Sequence, residues 1–418
     1  MEQTFLTDME IKKVRHLQNI LIPLDKDKRK HLILTGKNGS GKTSVLEALA
    51  KAFGFIISKP AFPEELIYQN YANSRERVDK LNFLRQNDNS EELRRQLNEA
   101  EESLNLWKSE QQKMDTGLSL NWTSKALLER KYAEGNFVFA YYKDEREFQV
   151  ERYKNIEKIQ LQDKYSITDN PGAKLTKYLV DLKATQAFTK EHEKFEKIDK
   201  WFYAFENILK TIFEDDNLKL KFDDETFQFS ICETGREPFD FNTMSRGYAA
   251  ILDIINDLIM RMEAKSGLRT EFNMEGVVLV DEIETHLHLE LQKKILPVLT
   301  TLFPNIQFIV TTHSPFVLSS LDNAVIYDLE NEILVENGLK NLPYEGIVEG
   351  YFKVDALSKE LREKFEKYKR LVEKKNLSDE DYEEIDRLEY YLDEIPDYLA
   401  KELTAEYSRL KLEFSNRG

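Results

Sequence analysis

Residues 36–43 read GKNGSGKT, between the apolar run His31–Thr35 and a stretch of helical periodicity, Ser44–Phe53. Glycines at 36 and 41 let the backbone wrap closely, so that its N–H groups converge on phosphate oxygens. Lys42 adds a point charge for the β- and γ-phosphates, and Thr43 offers a hydroxyl to Mg²⁺. The following helix presents its positive N-terminus to the same anion. On ordinary residue frequencies the bare pattern arises by chance in roughly one chain per hundred of this length. The run Gly36, Lys37, Asn38, Gly39, Ser40, Gly41, Lys42, Thr43 and Ser44 is therefore the candidate ATP site.

Three further segments carry chemistry. Val277–Glu282 (VVLVDE) is an apolar strand that delivers two acids to its C-terminal edge, where open α/β sheets bind ligands. Asp281 would hold Mg²⁺ and Glu282 would orient and deprotonate an attacking water. Alone, two acids after a strand could merely cap the next helix; beside a phosphate loop they gain force. Thr311–Pro315 (TTHSP) places His313 after another apolar strand, one helix and one strand beyond Glu282 and so back at the same edge. Contact of His313 with the γ-phosphate or the attacking water is expected there. Met244–Tyr248 (MSRGY) opens a helix, where Ser245 and Gly247 could cradle phosphate or Ser245 could simply cap.

The elements that must position these residues can be read from periodicity. Strands are expected near Phe5–Val14, Asn19–Leu24, Asn136–Tyr142, Leu218–Ile231, Gly276–Val280, Ile306–Thr311 and Ala324–Leu329. Helices are expected over 173–214, Thr243–Met262 and Leu287–Phe303, the last with a break or kink at Pro297. This alternation implies an α/β core with a parallel sheet. Leu93, Leu97, Ala100, Leu104, Trp107, Gln111 and Met114 are spaced alternately by four and three, a heptad seam. It predicts either a short antiparallel hairpin with part of Ser124–Lys131 or one helix lying on the body. Leu357–Glu373, Ser378–Leu392 and Ala400–Phe414 are expected as charged helices, with Ser378 and Asp381 as a capping box.

The bulk numbers bound the function. The chain has 418 residues and 41% are apolar, enough for a sizeable core. A net charge of −16 disfavours a protein coated in nucleic-acid-binding surface, though not a local basic groove. Cys232, in a strand-like run, is the only cysteine, which excludes an intrachain disulfide and fits a reducing cytosol. No apolar leader or membrane-length stretch stands out, so a soluble cytoplasmic protein with no membrane partner is expected. His286 and His288 do not share a helix face, and no third ligand accompanies them, so zinc is not expected there.

The order of phosphate loop, MSRGY, VVLVDE and TTHSP resembles an ABC-type ATPase head. More narrowly it is similar to the SMC-like and OLD-like ATPases, and DEIETHLHLELQ followed by TTHSP resembles the AAA-family ATPases of anti-phage defence of Septu, retron and PARIS type. The resemblance implies a head of mixed and parallel sheet flanked by helices, over residues 1–60 and 135–335. It implies a helical or coiled-coil insertion at 61–134 and a charged helical extension at 345–418. It also implies a self-assembling, Mg²⁺-dependent ATPase in which two heads sandwich ATP, with Ser245, Arg246 and Gly247 of one subunit completing the other's site. Arg246 stands at a common glycine position and Tyr248 at a usual polar one. The family's glutamine-bearing loop has no clear counterpart, since Lys143 and Arg146 lie closer to the strand end than Gln149. A separate effector, a nuclease or toxin, is the partner the resemblance implies. The rival readings are an SMC-like ATPase that grips nucleic acid in DNA repair, and a scaffold that uses ATP as assembly glue with negligible hydrolysis.

Overall fold

The computed structural model describes residues 3–58, 64–86, 90–145, 156–339, 359–374, 376–393 and 401–415. The chain divides into two compact units, 1–341 and 342–418.

The first unit is built on a six-stranded sheet. Its strands are β3 (His31–Thr35), β5 (Phe137–Tyr142), β8 (Glu275–Val280), β9 (Ile306–Thr311), β10 (Ala324–Asp328) and β11 (Ile333–Val335), in the order β11-β10-β3-β9-β8-β5. All neighbours run parallel except the β11 edge. A parallel sheet is covered on both faces, which is why HLILT, GVVLV and IQFIVT are apolar without alternation and almost wholly buried. A smaller antiparallel sheet, β2-β1-β4, joins β1 (Leu6–Val14), β2 (Leu17–Pro23) and β4 (Leu118–Trp122). Helix α1 (Lys42–Ser58) shares one apolar cluster with both sheets, through Val45, Leu46, Leu49 and Phe53. Buried Gln307 staples the layers together. Its Oε1 accepts the Leu6 amide at 2.8 Å while its Nε2 donates to the carbonyls of Leu6 and Lys30.

Within the 61–134 stretch the structure separates two roles. Helices α2 (Glu64–Arg85) and α3 (Glu91–Met114) form a hairpin, with Val78, Leu97 and Ala100 at its centre and Leu81 and Leu104 beside them. The seam on α3 thus pairs with the helix before it, not with Ser124–Lys131. That later segment belongs to α4 (Lys125–Ala133), whose Leu128 and Tyr132 lie in the head core. Leu118–Trp122 likewise pairs with β1 of the head. Heptad spacing defines an apolar stripe but not its partner; on α2 the matching positions are Ile67, Tyr71, Ser74, Val78 and Leu81.

A 3₁₀ turn (Pro171–Lys174) and helices α5 (Leu175–Phe188) and α6 (His192–Phe213) precede the hairpin of β6 (Lys219–Asp223) and β7 (Gln228–Cys232). Helix α7 (Arg246–Ser266) is buried around most of its length, including Asp257 and Arg261. Two buried charges need full satisfaction. Asp257 accepts from Tyr142 Oη at 2.6 Å, Arg261 Nε at 2.7 Å and the Gly172 amide at 3.1 Å. Arg261 also donates to the Phe139 and Ser166 carbonyls. This network fixes α7 to the end of β5. Helices α8 (Leu289–Leu302), which runs through Pro297, and α9 (Pro315–Leu318) complete the unit. No helix among the described residues is long and apolar enough to cross a membrane.

The second unit has three described helices, α10 (Lys359–Val372), α11 (Asp379–Asp393) and α12 (Lys401–Ser415), around Tyr368, Ile385, Leu388, Leu392 and Leu410. Residues 357, 358 and 400, assigned to these helices from sequence, lie outside the described residues. Ser378 and Asp381 form the expected reciprocal cap: the Asp381 amide donates to Ser378 Oγ, and the Ser378 amide to Asp381 Oδ2.

His31 gives the first unit an acid-sensitive bolt. The residue is 6% exposed, and its Nδ1 accepts the Phe308 amide at 3.1 Å, a role only the neutral imidazole can fill. Burial, helped by the nearby Arg29 cation, lowers its pKa from 6.5 to about 3. A depressed folded-state pKa makes the unfolded chain the better proton binder below 6.5, so this group's stabilisation is complete above that pH and is lost as pH falls toward 3. Urea unfolding should show the folded state losing about 1 kcal/mol per pH unit from this source below pH 6.5. His31→Asn, which keeps an acceptor, should remove that part of the slope; equal slopes for the two proteins would refute it.

Candidate functional site

The parallel strands deliver their C-terminal ends to one edge. Register pairs Leu34 with Thr311, and Val280 with Val310, so the segments after β3, β8 and β9 leave the sheet side by side. The loop after β3 demands glycine at 36, where φ is +130° and a Cβ would stand 2.8 Å from Ser40 Oγ and 3.2 Å from the Glu330 amide. At Gly41, φ is +100° and a Cβ would meet Leu17 Cδ1 at 2.8 Å. The loop therefore packs against the first hairpin as it enters α1.

Lys42 is buried, and its ammonium donates to the carbonyls of Gly36 at 3.0 Å and Lys37 at 3.3 Å. Burial lowers its pKa, opposed by the charges of Glu282, Asp281, Glu284 and Asp328. Lys37 turns outward and pairs with Glu330 at 2.5 Å, and its amide donates to the same carboxylate. Asn38, Gly39 and Thr43 are exposed, while Ser40 is buried. Ser44 lines a cavity of about 1110 Å³ together with Lys12, Lys13, Arg15, Glu47 and Lys51.

The β8 and β9 ends are laced together. Thr311 donates its hydroxyl to Asp281 Oδ1 at 2.5 Å and accepts the Glu282 amide at 2.7 Å. The Ile283 amide donates to the Thr311 carbonyl, and the Thr312 amide to Leu34 of β3. Glu282 takes φ +41°, a strained left-handed turn for a non-glycine residue. His313 donates its amide to Glu284 Oε1. Ser314 Oγ donates to Gln292 Oε1, and Gln292 Nε2 to the Leu287 carbonyl. Asp281 Oδ2, Glu284 Oε2, His313 Nε2 and Ser40 Oγ are buried without a hydrogen-bond partner. Buried polar atoms are rarely orphaned, and four of them at one sheet edge mark a place built to receive a polar ligand. Burial, with the Lys42 charge, lowers the His313 pKa, against the opposing effect of Glu284 and Glu282. His313 is thus a neutral imidazole near pH 7.

Asp281, Glu282, His313 and Lys42 come together; Ser245, Arg246 and Gly247 stand apart. Ser245 occupies the N-cap of α7, yet its side chain makes no capping bond, so the capping role open to it in sequence is not used. Ser245 and Arg246 are exposed, and among the described residues no hydrogen bond or ion pair joins them to the phosphate loop. Gly247 packs on the segment after β8: a Cβ there would sit 3.0 Å from the His286 carbonyl. Tyr248 has a local cause, since it stacks on Phe213 at 4.2 Å and meets the His288 ring edge-on. His288 caps α8 by accepting the Leu291 amide. Lys143 is exposed after β5, and Arg146 and Gln149 lie outside the described residues. Sequence reading gives Glu284, Glu330 and the hydroxyl of Thr311 no role of their own. Only Glu284 had a signal, a third acid two residues beyond Glu282.

Residues 50–318 match the family model described as AAA ATPase domain. A retron Ec83 probable ATPase of Escherichia coli is 35% identical over 147 residues, 33% of this chain and 26% of that protein. A Septu protein PtuA of Bacillus mycoides (strain KBAB4) is 34% identical over 154 residues, 35% of this chain and 21% of that protein. The chain therefore spans about a quarter of these curated relatives. Among solved structures, an SMC head domain from Thermotoga maritima aligns with a TM-score of 0.35 and 12% identity, over 77% of this chain and 94% of that one.

Thr311→Val isolates the lacing. It keeps the shape but leaves a buried carboxylate oxygen and the Glu282 amide unpaired, which should lower unfolding stability by about 2 kcal/mol. Denaturant titration at pH 7 checks this, and an unchanged midpoint would show that the hydroxyl is not needed.

Proposed function

The chain belongs to the family of AAA ATPase domains, and from that membership and the site's geometry we propose that it binds ATP at 36–44 and hydrolyses it. The observation that carries the reading is the cluster of unpartnered polar atoms, Asp281 Oδ2 and His313 Nε2, at the sheet edge where Lys42 is buried among carboxylates. The donor set fits Mg²⁺: the Thr43 hydroxyl and the second oxygen of Asp281 are hard oxygen ligands, and Asp281 is already oriented through its first. When bound, the ion would neutralise charge on the β- and γ-phosphate oxygens. Lys42 and the loop amides hold those phosphates. Glu282 takes the proton of the water that attacks the γ-phosphorus as the bond to the ADP oxygen breaks. His313, neutral, offers a hydrogen bond to the γ-phosphate or to that water.

Ser245, Arg246 and Gly247 complete the site of a second copy of the chain, which accounts for an exposed, uncapped Ser245 beside an exposed arginine. Arg246 supplies charge to the γ-phosphate across the interface, as an arginine finger does. ATP binding then means assembly, and hydrolysis sets its lifetime. The similarity to retron and Septu proteins supports a role in the cytosol in antiviral defence, in which the nucleotide state senses infection and controls a separate effector, a nuclease or toxin.

Wild type, Lys42→Ala, Glu282→Gln and Arg246→Ala test this, read by phosphate release and by analytical ultracentrifugation with and without MgATP. Lys42→Ala should lose ATP-driven association. Glu282→Gln should associate and persist while turnover falls on the order of a hundredfold or more. Arg246→Ala should lose both association and turnover. Full activity and assembly in Arg246→Ala would sink the trans role. Assembly without turnover in both wild type and Glu282→Gln would make the protein a scaffold.

A further inference from the structure

Glu284 is an acid that neither the phosphate loop nor the catalytic carboxylate accounts for. It sits in the segment between β8 and α8, two residues beyond Glu282, and its side chain reaches to the opposite segment, where Oε1 accepts the His313 amide. Its Oε2 is buried without a hydrogen-bond partner. Leaving a carboxylate oxygen in that state costs folding free energy. Helix α8 is capped by His288, and Ser314 is held by Gln292. The charge of Glu284 acts on both Lys42 and His313.

We propose that Glu284 is a positioning residue, which tethers the main chain at His313 so that the imidazole meets the γ-phosphate or the attacking water, and keeps its second oxygen as an acceptor inside the site. The inference rests on the hydrolytic reading of the site. A charge-assisted N–H···O⁻ bond holds a backbone more firmly than a neutral one, and displacement of a catalytic group by about an ångström can cost on the order of a hundredfold in rate. The tether does not grip the nucleotide. Its loss should therefore appear in kcat and leave ATP binding nearly intact.

The experiment compares Glu284→Ala and Glu284→Gln with wild type in three measurements: steady-state ATPase kinetics, binding of a fluorescent ATP analogue, and the His313 amide resonance in protein labelled with ¹⁵N-histidine. The protein has six histidines, so His313 can be assigned by its loss in His313→Gln. Glu284→Ala should lower kcat by roughly ten- to a hundredfold with the binding constant within about threefold, and should shift the His313 amide proton upfield. Glu284→Gln, whose amide oxygen can accept the same N–H, should recover most of the rate and part of the shift. Wild-type kcat in Glu284→Ala, a Glu284→Gln protein as slow as Glu284→Ala, or an unmoved His313 amide would overturn the tether. Absence of turnover in wild type would instead defeat the hydrolytic reading, and the His313 amide would still decide whether the tether exists.

Discussion

The Thr311 hydroxyl is shared between two residues just beyond the end of an adjacent strand, and the candidate site depends on that sharing. By donating to one oxygen of Asp281 and accepting from the Glu282 amide, it orients the first acid and helps hold the second in its left-handed turn. A side chain with one donor and a free lone pair is required; valine has the shape and neither function. The sharing is possible only because β8 and β9 are parallel and in the observed register, which puts residues 281 and 311 at the same height. A slip of one residue would turn every buried side chain to the opposite face. Sheet register, set by apolar packing through the whole head, thereby becomes geometry at a few polar atoms.

Electrostatics imposes a second demand on the same edge. Burial disfavours the charged form of Lys42, and the surrounding carboxylates oppose that effect. A polyphosphate placed there would share the ammonium with those carboxylates, so the acids tune how strongly the loop holds an anion while keeping the lysine charged. In a chain of net charge −16, attraction for ATP at the proposed site has to be local. It would come from one buried cation, loop amides and a helix end, which act over short range in a low dielectric.

How much of this was legible in sequence follows from where each partner lies along the chain. GKNGSGKT, VVLVDE and TTHSP are contiguous runs, each with its own strand, and the strand-then-ligand rule of parallel sheets brings them to one edge. The α2–α3 pairing is not legible, because heptad spacing marks a stripe without naming its partner: Ile67, Tyr71, Val78 and Leu81 on α2 share the spacing of the α3 seam, but polar Ser74 interrupts them. The Gln307 staple and the Tyr142–Asp257–Arg261 network were not legible either. Each joins residues distant in the chain, and a buried polar side chain in an apolar run does not name its partner. Tyr248 looked like a departure from a motif; its cause, the ring of Phe213, lies 35 residues earlier by their numbers.

The segment from Ile283 to His288 touches both halves of the proposed composite site. At one end Glu284 holds His313; at the other the His286 carbonyl lies so close to Gly247 that a side chain there would push the two elements apart by a few tenths of an ångström or more. Gly247 thus has a reason within its own chain to be glycine, independent of any phosphate it approaches in a second copy. His286 adopts φ +68°, so the turn is strained and has little freedom to absorb a shift. Packed loops of this kind move between discrete arrangements and do not deform smoothly. A change of ligand at His313 would then be felt at Ser245–Gly247 through six residues of constrained backbone, without need of a longer route through the sheet.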